Sequence, residues 1–147
     1  MANTFKVITK AGVTSLDVIY TAASGTTTVV LGLILGNTTT SQITSTVTLN
    51  TDTSNRSGAN NEANQAVELV TNAPIPAASS LEMLAGNKVV LETTDEIKVS
   101  ATGAVDVALS VMEITSCRIL VRKSPLTFNP SRQFRDSTVT VAIQHLH

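Results

Sequence analysis

SQITSTVTLN, residues Ser41–Asn50, decides the fold class. Ile43, Val47 and Leu49 fall on one face with Ser45, while Thr44, Thr46, Thr48 and Asn50 fall on the other. Successive side chains of a β-strand point to opposite faces, so this period of two is that of a half-buried antiparallel strand. The same reading applies to Ala104–Ile114, where Val105, Val107, Leu109 and Val111 alternate with Asp106, Ala108 and Ser110. Further strands are expected at Phe5–Thr9, Leu16–Thr21, Thr27–Gly36, Ala66–Asn72, Lys88–Glu92, Glu96–Ala101, Cys117–Arg122 and Thr138–Leu146. Val29–Leu35 is apolar in both phases and reads as a central strand covered on both sides.

Turn chemistry separates these runs. Ala85-Gly86-Asn87, Thr93-Thr94-Asp95 and Thr102-Gly103 are each expected to close a hairpin. Pro74 and Pro76 are expected to end a strand and hold Ala73–Ala78 as an extended connection. Asn61–Val70 has adequate helix formers for a helical turn, yet no stretch shows capped helical periodicity. Many short strands joined by tight turns predict an all-β fold, an antiparallel β-sandwich or jelly-roll-like barrel with a C-terminal extended arm.

Composition narrows the setting. Of 147 residues, 42% are hydrophobic but only 3% aromatic, with no Trp, so the core must be built from Val, Ile, Leu and Ala. Charged residues are 14%, against about 25% in an average chain. Few charges need desolvating when such a surface meets another, which suits close packing in an assembly. The net charge of −1 is unevenly placed: residues 1–115 carry five basic and ten acidic residues. From Ser116 onward Arg118, Arg122, Lys123, Arg132 and Arg135 face only Asp136. The chain therefore reads as an acidic body, residues 1–115, and a basic arm, residues 116–147. Thr51–Gln65, polar and without a large apolar residue, is a long loop of the functional or mobile kind. The longest apolar run, Val29–Leu35, is far short of the roughly 20 residues of a membrane helix. No N-terminal signal peptide is evident, so the protein is expected to be soluble when made.

Site chemistry is sparse. Nucleophilic catalysis needs a nucleophile beside a base. The two histidines, His145 and His147, stand in the last three residues, and Cys117 reads as a buried structural thiol. His145 and His147 share one strand face but lack the further ligands of a metal site. Glu92, Asp95 and Glu96 read as a solvated corner. Asn37-Thr38-Thr39 and Asn55-Arg56-Ser57 match the glycosylation sequon without a secretory signal. No enzyme activity, metal or cofactor is expected. The acidic body repels nucleic acid and offers no stacking pair, so the basic arm fits an acidic protein surface better.

MANTFK (1–6), TTTVVLGLILGNTT (26–39), VTNAPIPAASSLEMLAGNKVVLETTDEIKVSA (70–101) and VALSVMEIT (107–115), in this order, resemble small structural proteins of tailed bacteriophages, as in phages of cyanobacteria. The resemblance spans about residues 1–115; the arm and the long Thr51–Gln65 loop depart from it. It implies a virion component made in the host cytoplasm, decorating or cementing the head, with the head–tail neck or the tail as the other positions. Expected partners are copies of the chain, as a trimer or hexamer, and the major capsid protein. In this reading the body packs into a symmetric oligomer and the arm ties copies together or to the capsid through Arg118, Arg122, Lys123, Arg132 and Arg135 and the strand residues Val139, Val141 and Ile143, the alternative being that this last strand closes the domain's own sheet. A host-surface module binding a receptor or glycan through Thr51–Gln65 is the competing class.

Overall fold

The inward residues of the last strand, Val105, Val107, Leu109 and Val111, are all buried, as their alternation demands. In the computed structural model, which describes residues 2–52, 64–84 and 86–115, nine strands and no helix appear among the described residues. They are β1 (Ala2–Val13), β2 (Asp17–Thr21), β3 (Thr26–Asn37), β4 (Ile43–Asn50), β5 (Ala66–Ile75), β6 (Ser80–Met83), β7 (Val89–Leu91), β8 (Glu96–Ala101) and β9 (Val105–Thr115). The chain divides into two units, Met1–Ser116 and Cys117–His147, and the described residues belong to the first.

Two antiparallel sheets form a sandwich. One has the order β1-β9-β3, with β6 and β7 both lying along the far side of β3; the other is β2-β8-β4-β5. β7 pairs with Thr28–Val30 and β6 with Leu33–Gly36, so these two are pieces of one interrupted strand. Counted that way, eight strands follow the order of a jelly roll, in which every connection except β4–β5 changes sheet. The three turns expected to close hairpins therefore do something else. Gly86, at φ 98°, lies in the break between β6 and β7, while Thr93–Asp95 and Thr102–Gly103 carry the chain from one sheet to the other. Turn residues specify a reversal of the chain, and not which sheet receives it.

The core holds Val30, Leu33 and Leu35 of β3, Val47 of β4, Ile75 of β5, Leu91 of β7, Ile97 and Val99 of β8, and the inward residues of β9. No Phe is among them, as composition required. Pro74 does not end its strand. It pairs with Thr44 within β5, an edge strand, where a missing N–H need not break a ladder. Residues 66–70 belong to β5, as expected of the strand Ala66–Asn72, and the alternative of a helical turn over Asn61–Val70 is not found among its described residues, 64–70.

The corner at Glu92–Glu96 is solvated only in part: Thr94 is exposed and Glu92 and Glu96 are half-buried. Asp95 is fully buried; its Oδ1 accepts the Asp52 N–H at 2.9 Å and its Oδ2 the Glu92 N–H at 3.0 Å. The Ala22 N–H donates to the Asp95 carbonyl, and the Thr94 N–H to the Ala22 carbonyl, both at 2.9 Å. Three connections thus meet at Asp95, two through its carboxylate and the third, at Ala22, through its backbone carbonyl; a short side chain with two acceptors can replace ladder bonds where strands end. At the opposite end Asn37, also buried, donates its amide to the carbonyls of Ser41, Ile75 and Pro76 at 2.8, 3.0 and 3.0 Å. A sequon asparagine so engaged is closed to glycosylation in the folded chain.

A third polar clip joins the two sheets. The Tyr20 hydroxyl of β2 donates to Glu113 Oε1 of β9 at 2.9 Å and lies 2.8 Å from Thr28 Oγ1 of β3. Lys6 Nζ of β1 sits 2.6 Å from Glu113 Oε2. Lys6 first, and Tyr20 with it, holds the Glu113 carboxyl below its usual 4.5, while burial pushes the Tyr20 phenol up. The depressed carboxyl contributes stability above pH 4.5, which is lost as pH falls through the folded value. Tyr20→Phe is expected to cost about 1–2 kcal/mol, read as a lower urea midpoint at pH 7. Glu113→Gln is expected to lower the pH 7 midpoint while narrowing its drop between pH 6 and pH 3.

Candidate assembly surface

Register fixes what each sheet shows to the outside. On the β1-β9-β3 sheet, Phe5 pairs with Met112, Met112 with Val29, and Val29 with Val90. Paired residues of a ladder share a face, so these four side chains form one continuous row across four strands on the outer surface. Phe5 is 69% exposed and Val90 54%. Ile114 and Thr27 extend the row on one side. On the other side the middle of the face shrinks to Ser110, Gly32 and Ala108, between the large side chains of Val7, which pairs with Ser110, and Ile34, which pairs with Ala108. The result is a depression of about 320 Å³, floored by Gly32, Ala108 and Ser110 and flanked by Leu31, Ile34 and Glu82. A ridge of large apolar side chains thus lies beside a trough of small ones.

Charge on this face lies along the β6–β7 edge, where Glu82 flanks the depression and Lys88 Nζ donates to the Leu31 carbonyl at 3.4 Å, and at the far end, at Asp106. By register, Glu82 and Asp106 are the charged residues among its outward strand positions, and Asp106 Oδ1 accepts the Gly12 N–H at 2.8 Å. The outer face of the β2-β8-β4-β5 sheet is the reverse. Thr44, Thr46, Thr48 and Asn50 of β4 stand beside Glu96, Lys98 and Ser100 of β8. Glu96 bonds Lys98 at 3.0 Å and Asn50 at 3.2 Å, and its carboxyl is held low chiefly by Lys98. One sheet is dressed for water and the other is not.

Val29–Leu35, expected to be covered on both sides, is covered on one. Val30, Leu33 and Leu35 are fully buried, while Ile34 on the outer phase is 46% exposed. The second apolar phase of this strand, together with Met112 and Ile114 in the outward phase of β9, was the sequence signal for the surface. It could not be completed to a row without the pairing of strands far apart in the chain.

The sheet edges, in contrast, are guarded. β1 carries Lys6 and Lys10 in its inward phase, where they pair with Glu113 and Asp17 at 2.6 Å each. β6 and β7 are short, β2 is short and its register shifts between Val18 and Tyr20, and β5 has two register shifts and Pro74. Inward charges, short edge strands, bulges and proline are the known protections against edge-to-edge pairing.

The interface residues expected from sequence, Arg118, Arg122, Lys123, Arg132, Arg135, Val139, Val141 and Ile143, lie outside the described residues, as do Cys117, His145, His147 and most of Thr51–Gln65. Among the described residues no group of three His, Cys, Asp or Glu is placed to hold a metal ion.

No family model matches the chain, and no curated protein matches it. Among solved structures, a chain from Bacillus endospore appendages, described as disulfide-linked pili, aligns with 78% of this chain and 88% of its own. Identity is 12% and the TM-score 0.37, a likeness too distant to carry an argument about fold or function.

Proposed function

We propose that this chain is a non-enzymatic structural subunit that assembles with copies of itself, and that it serves on a tailed-bacteriophage head as a decoration or cement protein. The observation behind the assembly reading is the contrast between the two outer faces. A sandwich whose core is already filled has no folding use for a second apolar sheet face. Exposed apolar patches of this size on soluble chains are characteristic of contact surfaces.

The virion setting rests on the resemblance of residues 1–115 to phage structural proteins, and the edge-guarded body suits a shell component that must pack without forming open-ended strand stacks. Immunogold labelling of purified virions with antibody to this chain is expected to decorate heads in many copies. Label confined to the neck or tail would move the protein along the particle. Particles free of it would overturn the virion reading.

A further inference from the structure

We propose that the outer face of the β1-β9-β3 sheet is a self-complementary docking surface that pairs two copies about a two-fold axis. This deepens the assembly reading above and rests on it. The axis lies in the plane of the face, perpendicular to the strands, between the row Phe5–Met112–Val29–Val90 and the row Val7–Ser110–Gly32. Turning one copy about this line brings its ridge over the trough of the other. Met112 then faces Ser110, Val29 faces Gly32 and Ile114 faces Ala108, so large residues meet small ones at each central position. The contact is isologous, closing at two copies without a free end.

The area is adequate. With the axis at the Val111 row and the ladders ending at Thr115, four strands about 4.8 Å apart overlap over about 27 Å and present roughly 500 Å² per copy, which meets the roughly 1,000 Å² total expected of a specific interface. Sheets stacked face to face, about 10 Å apart and twisted by about 30°, are a favoured packing inside single domains. Glu82, Lys88 and Asp106 fall at the rim, where charged groups keep their water. Guarded edges leave the face as the open route to a second copy.

The test uses the full chain, with mass measured by light scattering across concentration and folding checked by circular dichroism and thermal unfolding. The wild type is expected to be a dimer or a multiple of one. Met112→Lys places an unpaired charge on the ridge and is expected to weaken association by about 100-fold. Thr46→Lys, on the outer face of the other sheet, is expected to leave it unchanged. Ser110→Met fills the trough and is expected to weaken association by about tenfold. Combining it with Met112→Ser restores large against small and is expected to recover most of the loss. Were the face merely sticky, Ser110→Met would strengthen association, and that result overturns the proposal. So does a monomeric wild type, whether residues 116–147 or a capsid protein covers the face instead. A wild-type oligomer indifferent to Met112→Lys overturns this interface while leaving the assembly reading intact.

Discussion

Asp95→Ala is expected to destabilise the body by about 3 kcal/mol, a fall in melting temperature of roughly 10–15 °C. The carboxylate is fully buried and accepts the backbone N–H groups of Asp52 and Glu92, at the start of the β4–β5 connection and in the β7–β8 turn. Alanine leaves both donors without this acceptor and loosens a corner that Ala22 also joins through the backbone. A hydrogen bond to a charged group contributes about 1.5–3 kcal/mol, and part of the two is offset because the carboxylate's own desolvation disappears. Asp95→Asn keeps one acceptor at nearly the same volume and is expected to lose about half as much. Urea unfolding of both variants at pH 7 measures the difference. Equal midpoints for wild type and Asp95→Ala would show the carboxylate is not the anchor described.

Leu109→Ala is expected to cost about 3–5 kcal/mol. Leu109 is fully buried on β9, the strand between β1 and β3, with Ile8 beside it on one neighbour and Leu33 on the other. Removing its side chain opens a cavity in a region tied on both sides by ladder hydrogen bonds, where the backbone has little freedom to collapse. By contrast, Ala108→Ser, one residue along and on the outer face, should fall within about 0.5 kcal/mol of wild type. Differential scanning calorimetry of the pair separates the two faces of one strand. A small loss at Leu109 would mean that β9 does not lie at the centre of the core.

These two residues also show how far the sequence could be read. Leu109 announced itself, because inward Val105, Val107, Leu109 and Val111 alternate without a break, and β8 has the expected bounds, Glu96–Ala101. Asp95 did not. An acidic residue in a turn usually faces water, and only the convergence of three connections turns it into an internal acceptor. β6 escaped notice because Ser80–Met83 is short and mixed, its pairing dictated by β3 and not by its own pattern. Jelly-roll order was legible only as one option among β-sandwiches, since turn residues do not encode a change of sheet.

The surface followed the same logic. Val29–Leu35 displayed two apolar phases, and cover on both sides is what a single domain would supply. Within the described residues one phase stays open, so the missing cover is assigned to a second copy. This shifts weight from the arm to the body. The expectation drawn from charge was that residues 116–147 tie copies together electrostatically. The expectation drawn from geometry is that an apolar sheet face with its charges at the rim supplies most of the association energy.

Salt separates these two directly. Attraction between a basic arm and an acidic body is screened as the Debye length falls from about 10 Å at 0.1 M to about 3 Å at 1 M. Burial of an apolar face is not weakened by salt, and sulfate strengthens it. Sedimentation equilibrium of the full 15.4 kDa chain at rising ionic strength is the decisive measurement. Association that persists or tightens from 0.1 M to 1 M sodium chloride, and tightens further in sulfate, is the predicted result. Dissociation with added salt, or a single 15.4 kDa species throughout, would contradict it.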